Sequence, residues 1–408
     1  CVPLSRSGGR RDCGRSGLRG ERSETRRFCV RSGRLSRARA RREGQMERLV
    51  AQLQRMKALE ESEANLVTNI LEKMPESARF SVLVSDLLHA KGRPTSLGSP
   101  AVALARWEDH EDDEGNFVAE RIGAILPKSS NNVVGALEAA GGYILGKGNV
   151  SELGVGAAAG SAVYGFVHRL DNGGEMVGSE AALAAAVSGD VVDLGVGVER
   201  RTSLLGPASR LGVCAFAPTR ERYPMNSALT VAPSVSSIGM VAKTVKTLEE
   251  MHQAIVAELG SEPPEVLESV RAAAMATESL GDNVKGPYDK VLQAAEAAGI
   301  SFAVQDASLP PMEDLDEIHR GMLSTEFRAS LSAFLAENVP FLDVDTVLAR
   351  AADDDVKDCP EADEALAQDL RRKIVGHVEA LDTFWSGLGA DVLIGPASER
   401  LLSQCSLL

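Results

Sequence analysis

Ser203 is the residue of this chain best placed to act as a nucleophile. It follows the apolar run Val191–Val198, which reads as a buried strand, and it precedes Gly206-Pro207. A hydroxyl on such a loop is presented where backbone N–H groups can face a developing oxyanion. It also needs a proton acceptor. Lys147, in LGKGN (Leu145–Asn149), is the candidate base from a neighbouring strand end, and Ser179 is the candidate relay between them. The six histidines stand in no recognisable triad context and read as surface or helix residues.

Other chemistries have less support. Gly173-Gly174 and Gly178 precede a helix, as phosphate-binding glycines do, but neither G-x-G-x-x-G nor G-x-x-x-x-G-K-[ST] is present. Glu175 moreover sits where an anion would approach. The acidic run Glu108–Glu114 reads as a solvated loop, because nothing in it sets a coordination geometry. The six cysteines (Cys1, Cys13, Cys29, Cys214, Cys359, Cys405) are far apart, without a C-x-x-C pair, and suit unpaired thiols in a reducing compartment. No cofactor and no metal are expected.

These candidates need a scaffold of alternating helices and strands. Gln45 to about Met74 has the pattern of an amphipathic helix, with a break near Ser62. Arg79–Leu88 reads as a strand and Lys91–Pro100 as a turn. Asn131–Gly142 reads as a helix ending in glycines, YILGKGN as a strand and loop, and Ser179–Val187 as an alanine-rich helix. The apolar strand Val191–Val198 suits a sheet covered on both faces, and Cys214–Thr219 reads as a turn or strand. Val245–Leu259, Pro263–Leu280, Leu315–Ala336 and Ala362–Trp385 have helical patterns. Asp289–Pro310 reads as helix, glycine, strand, and Gly389–Ser398 as a strand entering a loop. The alternation predicts an α/β fold. There is no internal repeat and no interdomain linker.

Charge divides the chain unevenly. Its 408 residues carry a net charge of -14, yet residues 1–48 hold 15 arginines and five acids, leaving 29 bases against 53 acids elsewhere. The acidic remainder is a poor ligand for nucleic acid. Residues 1–45 lack lysine and apolar periodicity and begin with Cys1. They read as a disordered head or as mistranslated sequence ahead of Met46, and alternatively as a transit peptide. Residues 46–408 are expected to form a single domain. No apolar run is long enough to span a membrane. The expected location is the cytoplasm, or an organelle if the head is a transit peptide.

A series of ordered motifs resembles the amidase signature family of serine hydrolases. VLVSD (Val82–Asp86) stands for V-x-V-K-D, and GRPTSLGS (Gly92–Ser99) for G-x-P-T-x-x-G-S. LEAAGGYILGKGN (Leu137–Asn149) is similar to L-x-x-x-G-A-x-x-L-G-K-T-N, and GGEMVGS (Gly173–Ser179) to G-G-S-S-G-G-S. GVERRTSLLGPA (Gly197–Ala208) resembles G-T-D-T-G-G-S-I-R-x-P-A, and LGVCAFAPT (Leu211–Thr219) resembles G-x-x-G-x-K-P-T. SSIGMVAKTVKTLEE (Ser236–Glu250) and DVLIGPAS (Asp391–Ser398) match later family segments. The resemblance implies a mixed central sheet covered by helices on both faces, short at its C-terminal end.

It also implies a Ser–cis-Ser–Lys triad acting on an amide carbonyl, with several positions changed. The family lysine falls on Ser85, not on Lys147. The relay serine falls on Glu175 by motif and on Ser179 by separation from Ser203. Ser203 matches the nucleophile. The D-T-G-G of the oxyanion loop has become Glu199-Arg200-Arg201-Thr202, the arginine after the nucleophile has become Leu205, and the lysine of K-P-T has become Ala217. The expectation is a non-catalytic amidase-like domain with little or no amidase activity, whose partner is a small amide or another protein. The alternatives are an active amidase cleaving a carbon–nitrogen bond through Ser203, and the product of a decayed gene.

Overall fold

The computed structural model describes residues 44–59, 64–70, 75, 77–93, 95–99, 102, 125, 127, 129–260, 269–276, 281–360 and 363–397. The chain divides into two units, Cys1–Arg48 and Leu49–Leu408. The first is described only over residues 44–48, which are helical. The acidic run at 108–114 lies outside the described residues.

A six-stranded mixed sheet organises the second unit. Its strands are β1 (Val67–Ile70), β2 (Phe80–Ser85), β3 (Gly142–Gly148), β6 (Leu194–Glu199), β7 (Cys214–Phe216) and β8 (Ser237–Ala242), in the order β1-β3-β2-β6-β8-β7. The central strands β3, β2 and β6 are parallel, whereas β1, β8 and β7 join antiparallel. Between β3 and β6 lies a short ribbon of β4 (Gly160–Ser161) and β5 (Gly165–Phe166).

Side chains of β2 alternate between two cores, as the pleat requires. Val82 and Val84 join one apolar cluster with Val133, Val134 and Leu137 of helix α1 (Asn132–Ala139). Leu83 joins the opposite cluster with Leu183 of α2 (Ala181–Ser188). The sheet is thus covered on both faces, as the motif series implies.

Helix α2 lies unusually close to the sheet. A Cβ at Gly195 would come within 2.8 Å of Leu183 Cβ, so only glycine leaves room for the helix there. Every residue from Ala181 to Val187 is buried, and short alanine side chains suit that approach.

After β6 come α3 (Leu205–Leu211), β7, β8 and α4 (Val245–Glu258). A separate three-stranded parallel sheet has the order β10-β9-β11, built from β9 (Arg271–Met275), β10 (Ser301–Ala307) and β11 (Val392–Ile394). Four helices complete the chain before β11 beyond α5 (Asp282–Ala297): α6 (Leu315–Asn338), α7 (Val344–Arg350), α8 (Asp354–Lys357) and α9 (Glu364–Leu388).

Two helical expectations are corrected. The segment from Gln45 toward Met74 is helical to residue 59, but Val67–Ile70 pairs with β3 as a strand. The β-branched Val67, Thr68 and Ile70 suit that extended edge. Within Pro263–Leu280, Arg271–Met275 is the middle strand of the small sheet, where Ala272, Ala273 and Ala274 are buried. Tertiary pairing overrides the helix propensity of alanine there.

Candidate functional site

Ser203 sits on the turn between β6 and α3, the strand–turn–helix setting expected for a presented hydroxyl. The buried Glu199 carboxylate holds this turn. Its Oε1 accepts from Thr202 N at 2.6 Å, and its Oε2 accepts from Leu204 N at 2.9 Å and Leu205 N at 2.8 Å. Burial raises the Glu199 carboxyl above its ordinary range, and those three N–H groups oppose the rise.

The backbone on this turn takes the left-handed conformation that glycines favour. Arg201 has φ 48° and Thr202 has φ 75°. For a β-branched residue such as Thr202 that conformation is strained.

The Ser203 hydroxyl is engaged within the same loop. Its Oγ donates to Val198 O at 3.0 Å and accepts from Arg200 N at 3.1 Å. Thr202 N serves Glu199, and Ser203 N donates to Arg200 O at 3.1 Å. The N–H groups of Arg200, Thr202 and Ser203 are therefore directed into the loop.

Ser179 lies just ahead of α2, against that loop. Gly178 has φ 108°, and a Cβ there would meet Pro207 Cγ at 2.7 Å and Ser203 O at 2.9 Å. Glu180 N donates to Ser203 O at 3.3 Å. The Ser179 Oγ accepts from Ser151 Oγ at 2.8 Å and from Ser151 N at 3.3 Å. Ser179 and Ser203 line one cavity of about 650 Å³, together with Glu180, Arg200 and His319. Glu175 is exposed on an adjoining loop and outside that lining. Of the two positions offered for a relay serine, 179 is the one beside Ser203.

Lys147 lies elsewhere. It is fully buried on β3, and its Nζ donates to Leu88 O. No hydrogen bond joins Lys147, Ser179 and Ser203 to one another. Burial lowers the Lys147 ammonium to about 8, against the opposing charges of Asp86 and Glu180.

Ser85, where the motif series places a lysine, meets a carboxylate instead. Its Oγ donates to Glu180 Oε1 at 2.8 Å, and Val198 N donates to the same oxygen at 3.1 Å. Glu180 Oε2 is buried without a hydrogen-bond partner. Burial lifts the Glu180 carboxyl to about 8, with Ser85 and Val198 pulling it down. Asp86 next door fastens the Gly92–Ser99 motif, accepting from Thr95 Oγ1 at 3.0 Å, Ser96 N at 3.1 Å and Ser96 Oγ at 2.8 Å.

Glu180 escaped sequence reasoning. The signal was an acid opening an otherwise apolar helix, where a buried charge needs a partner. His319 also lines the cavity, buried on α6, in line with the reading of the histidines as surface or helix residues. Among the described residues no group of His, Cys, Asp and Glu is arranged to hold a metal ion.

The chain is similar to known proteins in sequence and in fold. Residues 123–368 match the Amidase family, which is more than half of the chain. The chain belongs to the Amidase family. It is 30% identical over 132 residues to a subunit of the glutamyl-tRNA(Gln) amidotransferase of Mycoplasma genitalium, covering 32% of this chain and 28% of that protein. It is 27% identical over 195 residues to indoleacetamide hydrolase of Agrobacterium vitis, covering 47% of this chain and 41% of the hydrolase. The chain thus spans less than half the length of these curated relatives. Among solved structures, the native peptide amidase of Stenotrophomonas maltophilia superposes with a TM-score of 0.70 at 18% identity, covering 89% of this chain and 85% of the peptide amidase. An amidase family protein of Bacillus anthracis gives 0.65 at 15% identity, covering 84% and 75% of the two chains. At such identities the likeness concerns the fold, and the mixed α/β sheet with its covering helices is the amidase architecture.

Proposed function

We propose that this chain is an amidase-family protein with little or no amidase activity, whose cavity serves as a non-catalytic binding site. The observation that carries this reading is the state of Ser203. Its proton points to the carbonyl of Val198, and its oxygen accepts from Arg200 N rather than standing beside a base. A serine without a proton acceptor is a poor nucleophile, and an oxyanion site lacking a donor loses about 3–4 kcal/mol of transition-state stabilisation. Ser85 in place of the lysine removes the family's base. The relatives that hydrolyse or transfer amide nitrogen suggest an amide-shaped ligand for the cavity.

One observation favours the alternative, an amidase working through Ser203. Burial brings Lys147 to about 8, close to the range a general base requires, and Ser179 adjoins Ser203. Fluorophosphonate labelling of the pure, folded protein separates the two readings. Our reading expects no labelling above background and no ammonia release from primary amides. Labelling and turnover that both vanish in Ser203→Ala would establish the alternative, and their loss in Lys147→Met would assign its base.

A further inference from the structure

The cavity beside Ser203 carries cations that a neutral amide does not call for. Arg200, Arg201, Arg210 and Arg320 all line it, in a chain whose net charge is -14. Among the described lining residues the acids are Glu180 and Asp355. Arg201 is committed to Asp316, and Arg210 and Arg320 are exposed at the surface.

Arg200 differs from these three. Its Nη2 donates to Gly154 O at 3.3 Å and Val155 O at 3.2 Å, so two carbonyls fix the plane of the guanidinium against the cavity wall. It forms no ion pair with a described carboxylate. The charge of the adjacent Glu199 favours the protonated guanidinium, while its oxygens accept from the backbone N–H groups of the turn. Burial lowers the Arg200 guanidinium to about 10, which leaves it protonated at neutral pH. Four arginines against two acids leave the cavity lining rich in positive charge, and the donors that Arg200 keeps unused are ones an anion can take.

We propose that this cavity receives small organic carboxylates with an apolar body, held by the Arg200 guanidinium, in preference to uncharged amides of the same shape. A primary amide and its carboxylate differ by one NH₂ exchanged for an oxygen and a charge. A fixed guanidinium discriminates between them through a charge-assisted hydrogen bond from its remaining donors. Leu87, Val155, Val177 and Leu323, which line the same cavity, would cover the apolar body. The proposal rests on the reading of the cavity as a binding site, and it names the ligand class.

The test is titration calorimetry of the full chain with phenylacetate and phenylacetamide at neutral pH, with ammonia assayed in the same samples. Phenylacetate should bind about tenfold or more tightly than phenylacetamide, and added salt should erode that difference. Arg200→Gln should abolish the preference for phenylacetate over phenylacetamide. If Arg200→Gln does not fold, Arg200→Lys carries the test and should weaken phenylacetate binding several-fold, because a point charge replaces the planar guanidinium. Equal or tighter binding of phenylacetamide overturns the proposal, as does undetectable phenylacetate binding or a preference that survives Arg200→Gln in folded protein. Ammonia release would defeat the non-catalytic reading, and the preference would then be measured in Ser203→Ala, which removes the nucleophile that turns phenylacetamide into phenylacetate.

Discussion

The Ser85 hydroxyl donates to Glu180 Oε1 at 2.8 Å, across the gap between β2 and the start of α2. A lysine at position 85 would face this carboxylate with a charge, whereas the serine offers it one proton. The buried polar centre of the protein is therefore a carboxyl held by a hydroxyl and a peptide N–H. Lys147 donates to Leu88 O and reaches Glu180 only through its charge.

Removing the hydroxyl should be costly. Ser85→Ala leaves Glu180 with only Val198 N as a donor, and an under-satisfied buried acceptor costs about 1–3 kcal/mol. The denaturant midpoint should fall accordingly. A midpoint equal to the parent's would mean that water replaces the hydroxyl.

The same carboxyl should shape the pH dependence of stability. Folded Glu180 keeps its proton up to about 8, whereas a free glutamate loses it near the ordinary 4.5. Between these values the folded state binds more protons than the unfolded one, so stability falls as pH rises through the window. Glu180→Gln should make that decline shallower, as measured by thermal unfolding from pH 4.5 to 8. A slope unchanged by the substitution would show that Glu180 is ionised in the fold.

Thr202 offers a substitution of the opposite sign. Its φ of 75° costs about 1–3 kcal/mol in a β-branched residue, more than the backbone entropy of about 1 kcal/mol that glycine loses. Thr202→Gly should therefore stabilise the protein by about 1 kcal/mol in chemical denaturation. Destabilisation would imply contacts of the Thr202 side chain that outweigh its torsional strain.

The seat of α2 is sensitive to single atoms. Gly195→Ala would place a Cβ 2.8 Å from Leu183 Cβ, and overpacking of this kind costs about 1–3 kcal/mol. Calorimetric unfolding measures that loss. An unchanged transition would mean that the helix shifts outward without penalty.

Much of this molecule could be read from the order of its residues. The alternation of Val82, Leu83 and Val84, the helix opened by Asn131 and the apolar run into Glu199 each carry their periodicity locally, so strand, helix and sheet were legible. The identity of residue 85 was likewise legible, because a missing lysine needs no coordinates to be noticed. Val67–Ile70 and Arg271–Met275 were not, because their extended form depends on strands distant in the chain. Which groups meet in the site was decided by tertiary structure alone. Ser179, Ser203 and Arg200 share a cavity because the turn at Gly178 packs on the Ser203 loop, and Lys147 is drawn to Leu88 O by the register of β3 against β2. Hydrogen bonds and charge burial act over a few ångströms of space, and spacing along a chain does not report that distance.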